Sequence, residues 1–182
     1  MAAIPSVDPT AEPTGFARLM HKLGMTEAGR WVGINVGARI DPWLLRHSNG
    51  RIATAAFFPL VLMTASGRKS GVERSVPLVY FTDGEEVILT ASSFGREKHP
   101  AWYYNAVAAE EVELFARGRR GRYLVRETEG AERDRLFELS KQLYAGYGIY
   151  EEKTAAGRTI PVLALRPAPT HPQDRPPGRR AR

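Results

Sequence analysis

The stretch FPLVLMTASGRKSGVERSVPLVYFTDGEEVILTAS, Phe58 to Ser92, holds three short runs of branched and aromatic residues separated by two glycine-bearing reversals. LVLMTAS, ERSVPLVYF and EVILTAS have the composition of strands, and GRKSG and TDGE that of turns, the second with a glycine free to take positive φ in a hairpin. Three antiparallel strands are the simplest fold of this stretch. It also poses a chemical question, because Arg68, Lys69 and Arg74 crowd one turn beside an uncharged apolar strand.

Working outward, the looser segment SFGREKH leads to PAWYYNAVAAE, where Pro100 suits the opening of a short helix that sets Trp102 and Asn105 on one side. EVELFARG and RGRYLVRETEG read as a further hairpin. An amphipathic helix is predicted from Ala131 to about Tyr144, with Leu136, Leu139 and Leu143 in one stripe, and RTIPVLALRP as a last strand ended by proline. Strands, short helix, strands, helix and strand in this order predict a mainly β, α+β chain built as a small mixed barrel rather than alternating βαβ units.

Upstream, Thr14 can cap a helix carrying Phe16, Leu19, Met20 and Leu23, with Gly24 to end it, and Asp41 before Pro42 is a second good start. Between them RWVGINVGARI is apolar but broken by glycine. Residues 1–50 are therefore expected to form a helical extension, 51–166 the barrel domain, and 167–182, PAPTHPQDRPPGRRAR, a disordered basic tail. The extension packs on the domain or lies against a partner or bilayer.

Composition narrows the chemistry. With no cysteine among 182 residues, disulfides and thiolate metal sites are excluded, and His21, His47, His99 and His171 lack ligand spacing, so no metal site is expected. The uncharged span Ile52–Gly67 contains Pro59 and is shorter than the roughly 20 residues a spanning helix needs. The opening MAAIPSVDPTAEPTG has neither a basic start nor an apolar core, so a cytoplasmic protein is expected, with peripheral contact at the inner membrane face left open. Half of the net charge of +6 sits in the tail, where four cations meet one anion, which weakens a nucleic-acid reading. Oligomeric state is not legible.

Three features carry chemistry. Glycines bracketing Arg68, Lys69 and Ser70 let a backbone approach an oxyanion, although a solvated hairpin turn has the same composition and the phosphate-loop spacing is absent. ASSFGREKHPAWYYN combines Ser92, Lys98, Trp102 and Asn105, residues able to grip a flat ring and a charged tail, or equally to fill a core. YAGYGIY places Tyr144, Tyr147 and Tyr150 at steps of three, with Gly146 and Gly148 disfavouring a rigid helix, so a mobile aromatic wall is expected beside the alternative of plain packing.

LMTASGRKSG, RSVPLVYFTDG, KHPAWYYN, YAGYGIY and RTIPVLAL resemble, in this order, the deazaflavin-dependent nitroreductase family of actinobacterial proteins, which use reduced coenzyme F420. The resemblance covers about Asp41 to Arg166. It implies a split β-barrel of the FMN-binding type with the cofactor in a groove. Arg68, Lys69, Ser70, Gly71 and Arg74 would hold its phosphate and the start of its glutamate tail. Thr64, Pro77, Leu78, Tyr80, Ala91 and Ser92 would border the deazaflavin, and Lys98, Pro100, Trp102 and Asn105 would close the groove. Ser92, Tyr144, Tyr147 and Tyr150 would face the electron acceptor, a quinone, nitroaromatic or activated enone receiving hydride. The chain departs from the family at Ser93 and Phe94, where members commonly carry Lys-Gly, and at Val79, where some carry tyrosine. An FMN-dependent reductase of the same fold and a non-catalytic F420 carrier are the rival readings.

Overall fold

In the computed structural model, Leu60–Ser66 (β1), Glu73–Asp83 (β2) and Glu86–Thr90 (β3) form the antiparallel meander expected from the opening stretch. The structure describes residues 3–12, 38–48, 58–154 and 157–169, with 15, 26 and 53 as single positions. Glu111–Ala116 (β4), Arg119–Glu127 (β5) and Val162–Pro167 (β6) complete a closed barrel in the order β1-β2-β3-β6-β5-β4, antiparallel throughout. The hairpin between β2 and β3 turns at Gly84, φ +59, a backbone that glycine takes without strain. Among the described residues helices span Ala38–His47 (α1), Ala101–Ala109 (α2), Gly130–Leu143 (α3) and Gly146–Thr154 (α4), with a 3-10 turn at Ser93–Gly95. This is the split-barrel architecture that the resemblance implied.

Strand alternation sorts the side chains. Val61, Met63, Tyr80, Leu89, Leu114 and Leu163 point inward and are at most 2% exposed. A second cluster lies outside the barrel, where Phe81, Ile88 and Ala164 are covered by Leu136 and Phe137 of α3 and by Tyr147 and Tyr150 of α4. The Thr90 and Ser140 hydroxyls, 2.7 Å apart, join β3 to α3 inside this layer, and Ser140 also donates to the Leu136 carbonyl. On another side α1 packs Leu45 against Leu62 and Phe115.

Three readings of the sequence change. Pro42 does not open α1 but lies inside it, with Ala38–Asp41 already helical before it. The helical reading of residues 1–50 does not extend to residues 3–12, which contain no helix and close one end of the barrel. There Ile4, 6% exposed, joins the interior cluster, its N–H donates to the Tyr123 hydroxyl at 2.9 Å, and the Tyr80 hydroxyl donates to the Pro5 carbonyl at 3.0 Å. Val7 and Thr82 exchange backbone and side-chain bonds beside them. Two buried phenols need partners, and the segment supplies them. The third change lies beyond Tyr144, which is extended (φ −142, ψ 99) at the end of the predicted helix: the tyrosine segment, whose glycines argue against a helix, forms α4. The expected helix from Thr14, the RWVGIN segment and residues 170–182 of the tail lie outside the described residues.

Candidate functional site

The outer face of β1 and β2 presents Thr64 opposite Ser75, Leu62 opposite Pro77, and Leu60 opposite Val79. Leu45 of α1 covers this strip at Leu62 and Arg46 reaches it at Ser75, and along β2 it runs about 20 Å from Ser75 to Phe81, where α4 covers its far end. At one end is the cationic turn, and at the other the tyrosines.

The turn is built from its glycines. Gly67 N–H donates to Val72 O at 2.9 Å, while Ser70 and Gly71 N–H both reach Gly67 O at 3.1 and 2.7 Å. A Cβ on Gly67 would stand 2.8 Å from Ser70 Oγ, and Gly71 has φ +67, so both positions are fitted to glycine. Arg68 is fixed to α2 twice: its N–H donates to Asn105 Oδ1 at 3.1 Å, and its guanidinium lies 4.6 Å from the Tyr104 ring centroid. Arg68, Lys69, Ser70 and Arg74 are exposed, and among the described residues none of the three cations is in an ion pair. Arg126, Arg135 and Lys141 elsewhere on the surface are each paired with carboxylates. On the strip, Thr64 and Ser75 hydroxyls are 2.7 Å apart and Arg46 of α1 donates to Ser75 Oγ.

At the far end Ser92 is 9% exposed, and its hydroxyl has no hydrogen-bond partner among the described residues. Ser93, Phe94 and Gly95 follow with φ of 53, 56 and 75. This loop is clasped by Arg158, which donates to Ser92 O at 2.6 Å, to Arg96 O at 2.9 Å and to His99 Nδ1 at 3.0 Å. Tyr144 and Tyr150 share a hydrogen bond at 3.1 Å, and Tyr144 stands edge-on to Phe58 and to Tyr147. Tyr147 is 7% exposed, and burial pushes its phenol well above the ordinary value, so its proton is held firmly; its hydroxyl has no partner among the described residues. The phenols pack against one another as a cluster. Gly146 is the reason: a Cβ there would collide with the Tyr144 ring, so the glycine serves close packing.

The structure brings the sequence-predicted residues together unevenly. Arg68 and Asn105 touch; Thr64 and Pro77 share the outer strip; Ser92 lies on the loop that packs against α4. Leu78 and Tyr80 point into the barrel, where burial raises the Tyr80 phenol to about 12, so toward the strip they offer only main chain. Ala91 is buried and pairs its N–H with Pro161 O. Pro100 caps α2, Trp102 packs against the barrel interior and Lys98 is exposed. Sequence reasoning missed Tyr104, Arg46 and Arg158. Tyr104 immediately precedes Asn105 on the helix the sequence predicts, whereas nothing in the sequence connects Arg158 to Ser92, 66 positions away. Among the described residues no group of His, Asp and Glu could hold a metal ion, and no helix is long and apolar enough to cross a membrane.

The chain is similar to known proteins over most of its length. Residues 37–167 match the family model described as F420H(2)-dependent quinone reductase. An F420H(2)-dependent quinone reductase of Mycobacterium tuberculosis is 29% identical over 147 residues, covering 76% of this chain and 97% of its own. A solved F420-H2 dependent reductase superposes with a TM-score of 0.55 at 36% identity, covering 59% of this chain and 94% of that one. A structure described as a domain-swapped dimer gives 0.57 at 30% identity over 77% of this chain and all (100%) of that one. Such a match spans the barrel, both ends of the strip and the tyrosine segment, and the chain belongs to the F420H(2)-dependent quinone reductase family.

Proposed function

We propose that this chain is a reductase that binds reduced F420 along the outer strip of β1 and β2 and delivers its hydride to a quinone held beneath the tyrosines. The observation that carries the reading is the pairing of opposites on the two ends of one strip: cations without an ion pair among the described residues on a glycine-framed turn, and a packed phenol cluster beside a serine hydroxyl that has no partner among the described residues. The donor set fits the cofactor. Arg68, Lys69 and Arg74 suit a phosphate and carboxylates, Ser70 and the turn amides add hydrogen bonds, and Thr64, Pro77 and the main chain of Leu78 and Ala91 make a wall for a flat ring. Lys98, Pro100, Trp102 and Asn105 close the cationic side.

The bound deazaflavin supplies the hydride, and the protein supplies orientation and a dry surface. Ser92 and Tyr147, whose hydroxyls have no partner among the described residues, would donate hydrogen bonds to the oxygen that gains negative charge as a quinone is reduced, while Tyr144 and Tyr150 are bonded to each other. Nitroaromatics and activated enones present the same oxyanion demand and are admitted as substrates on that ground.

Fluorescence titration with F420 tests the reading. Arg74→Ala is expected to weaken binding about tenfold or more, since a charge-assisted bond to an anion is lost. The parent should also oxidise reduced F420 with menadione. An affinity unchanged by Arg74→Ala, or no oxidation by the parent, overturns it.

We infer further that α1 meets a membrane surface. Ile40 and Trp43 are 44% and 60% exposed on its outer side, with Arg39, Arg46 and His47 around them, an arrangement suited to anionic headgroups.

A further inference from the structure

We propose that Phe94 determines acceptor specificity: its exposed phenyl, presented at the rim of the tyrosine cluster, stacks on flat, fused-ring quinones and favours them over single-ring ones. The proposal rests on the reading of Ser92 and the tyrosines as the acceptor side.

Phe94 is 46% exposed, whereas Tyr147 and Tyr150 beside it are 7% and 3% exposed. Its ring meets Tyr150 edge-on, centroids 6.1 Å apart and planes at 79°, so the two make a corner open to solvent on the phenyl side. Core packing therefore does not explain the residue. Backbone preference does not explain it either, because φ +56 is a region that glycine enters freely and a bulky residue rarely. Ser93 and Gly95 are left-handed as well, with φ 53 and 75.

The loop that carries this ring is held from both sides. Arg158 bonds the carbonyls of Ser92 and Arg96, which bracket Phe94, and a Cβ on Gly95 would lie 3.2 Å from the Lys153 side chain and 3.4 Å from Tyr150 Cα. A large apolar side chain is thus displayed by a fixed, strained loop, and strain of this kind concentrates at ligand clamps. What a displayed phenyl at right angles to a phenol can do is meet one face of a flat ring while the phenol meets its edge. A fused bicyclic quinone has area enough to keep a ring on Phe94 while its carbonyl stays near Ser92. A single ring must give up one contact for the other.

Phe94→Gly is the informative variant, because glycine suits the backbone already present and the loop is expected to persist. With reduced F420 as donor, kcat/KM is measured for menadione and for 1,4-benzoquinone. The menadione-to-benzoquinone ratio is expected to fall about three- to tenfold, mainly through the KM for menadione. Phe94→Leu should reproduce the fall and Phe94→Tyr should restore the parental ratio. A ratio unchanged in Phe94→Gly, or retained by Phe94→Leu, overturns the proposal. If the parent oxidises reduced F420 with neither quinone, the functional reading fails. Equilibrium dialysis of menadione then decides on Phe94 alone: weaker binding to Phe94→Gly supports the stacking role, and equal binding overturns it.

Discussion

A guanidinium can only donate, so the contact between Arg158 and His99 Nδ1 fixes the imidazole as an acceptor there, neutral, with its proton on Nε2. Burial first, and then the Arg158 charge, hold the His99 pKa below its usual 6.5. A group depressed in the folded state binds more protons when unfolded, so the stability it contributes is complete above pH 6.5 and declines as pH falls below that value. The melting temperature of the parent should therefore drop more steeply between neutral and mildly acidic pH than that of His99→Gln, whose amide oxygen still accepts from Arg158. Parallel curves would remove this role from His99. The residue scale is also where the sequence is least readable. Arg68, Lys69 and Asn105 announce themselves by charge and spacing, but the clasp joins a loop to a carbonyl 66 positions away, and only the closed barrel brings them together.

Elements were more legible, because strands and hairpins are specified locally. The alternation in β1, β2 and β3 and the glycine at their second turn are readable without tertiary context. The helix α4 was not. Gly146 and Gly148 read as weak helix, yet Gly146 is inside α4 and is selected by the Tyr144 ring lying where its Cβ would be. Pro42 misled for a related reason, since a proline near a helix start does not reveal which turn it occupies. At this scale α1 carries a test of the membrane inference. Trp43, stacked on His47 at 4.5 Å, is the largest exposed apolar group on the helix. In a flotation assay with anionic vesicles, Trp43→Ala should lower the bound fraction about threefold or more, with high salt lowering it further. Equal flotation of parent and variant would refute the contact.

For the whole molecule, the closed barrel carries both ends of the site: β1 and β2 form the strip, and residues 3–12 seal the interior behind them. Composition and strand order made the barrel readable, whereas the seal escaped because residues 3–12 have neither periodicity nor helix signals and are ordered only by what they close. Ile4→Ala removes most of a side chain that is 6% exposed, and should cost about 2–4 kcal/mol in urea unfolding. A loss below about 1 kcal/mol would mean that the site collapses readily around the missing methyls.

The bond from Ile4 to Tyr123 spans 119 positions. During synthesis Ile4 therefore leaves the ribosome long before its seat is made, and must wait, unhoused, until β5 emerges. Contacts of such span form after the folding barrier more often than before it, so weakening this one is expected to hasten unravelling while leaving the speed of assembly nearly as it was.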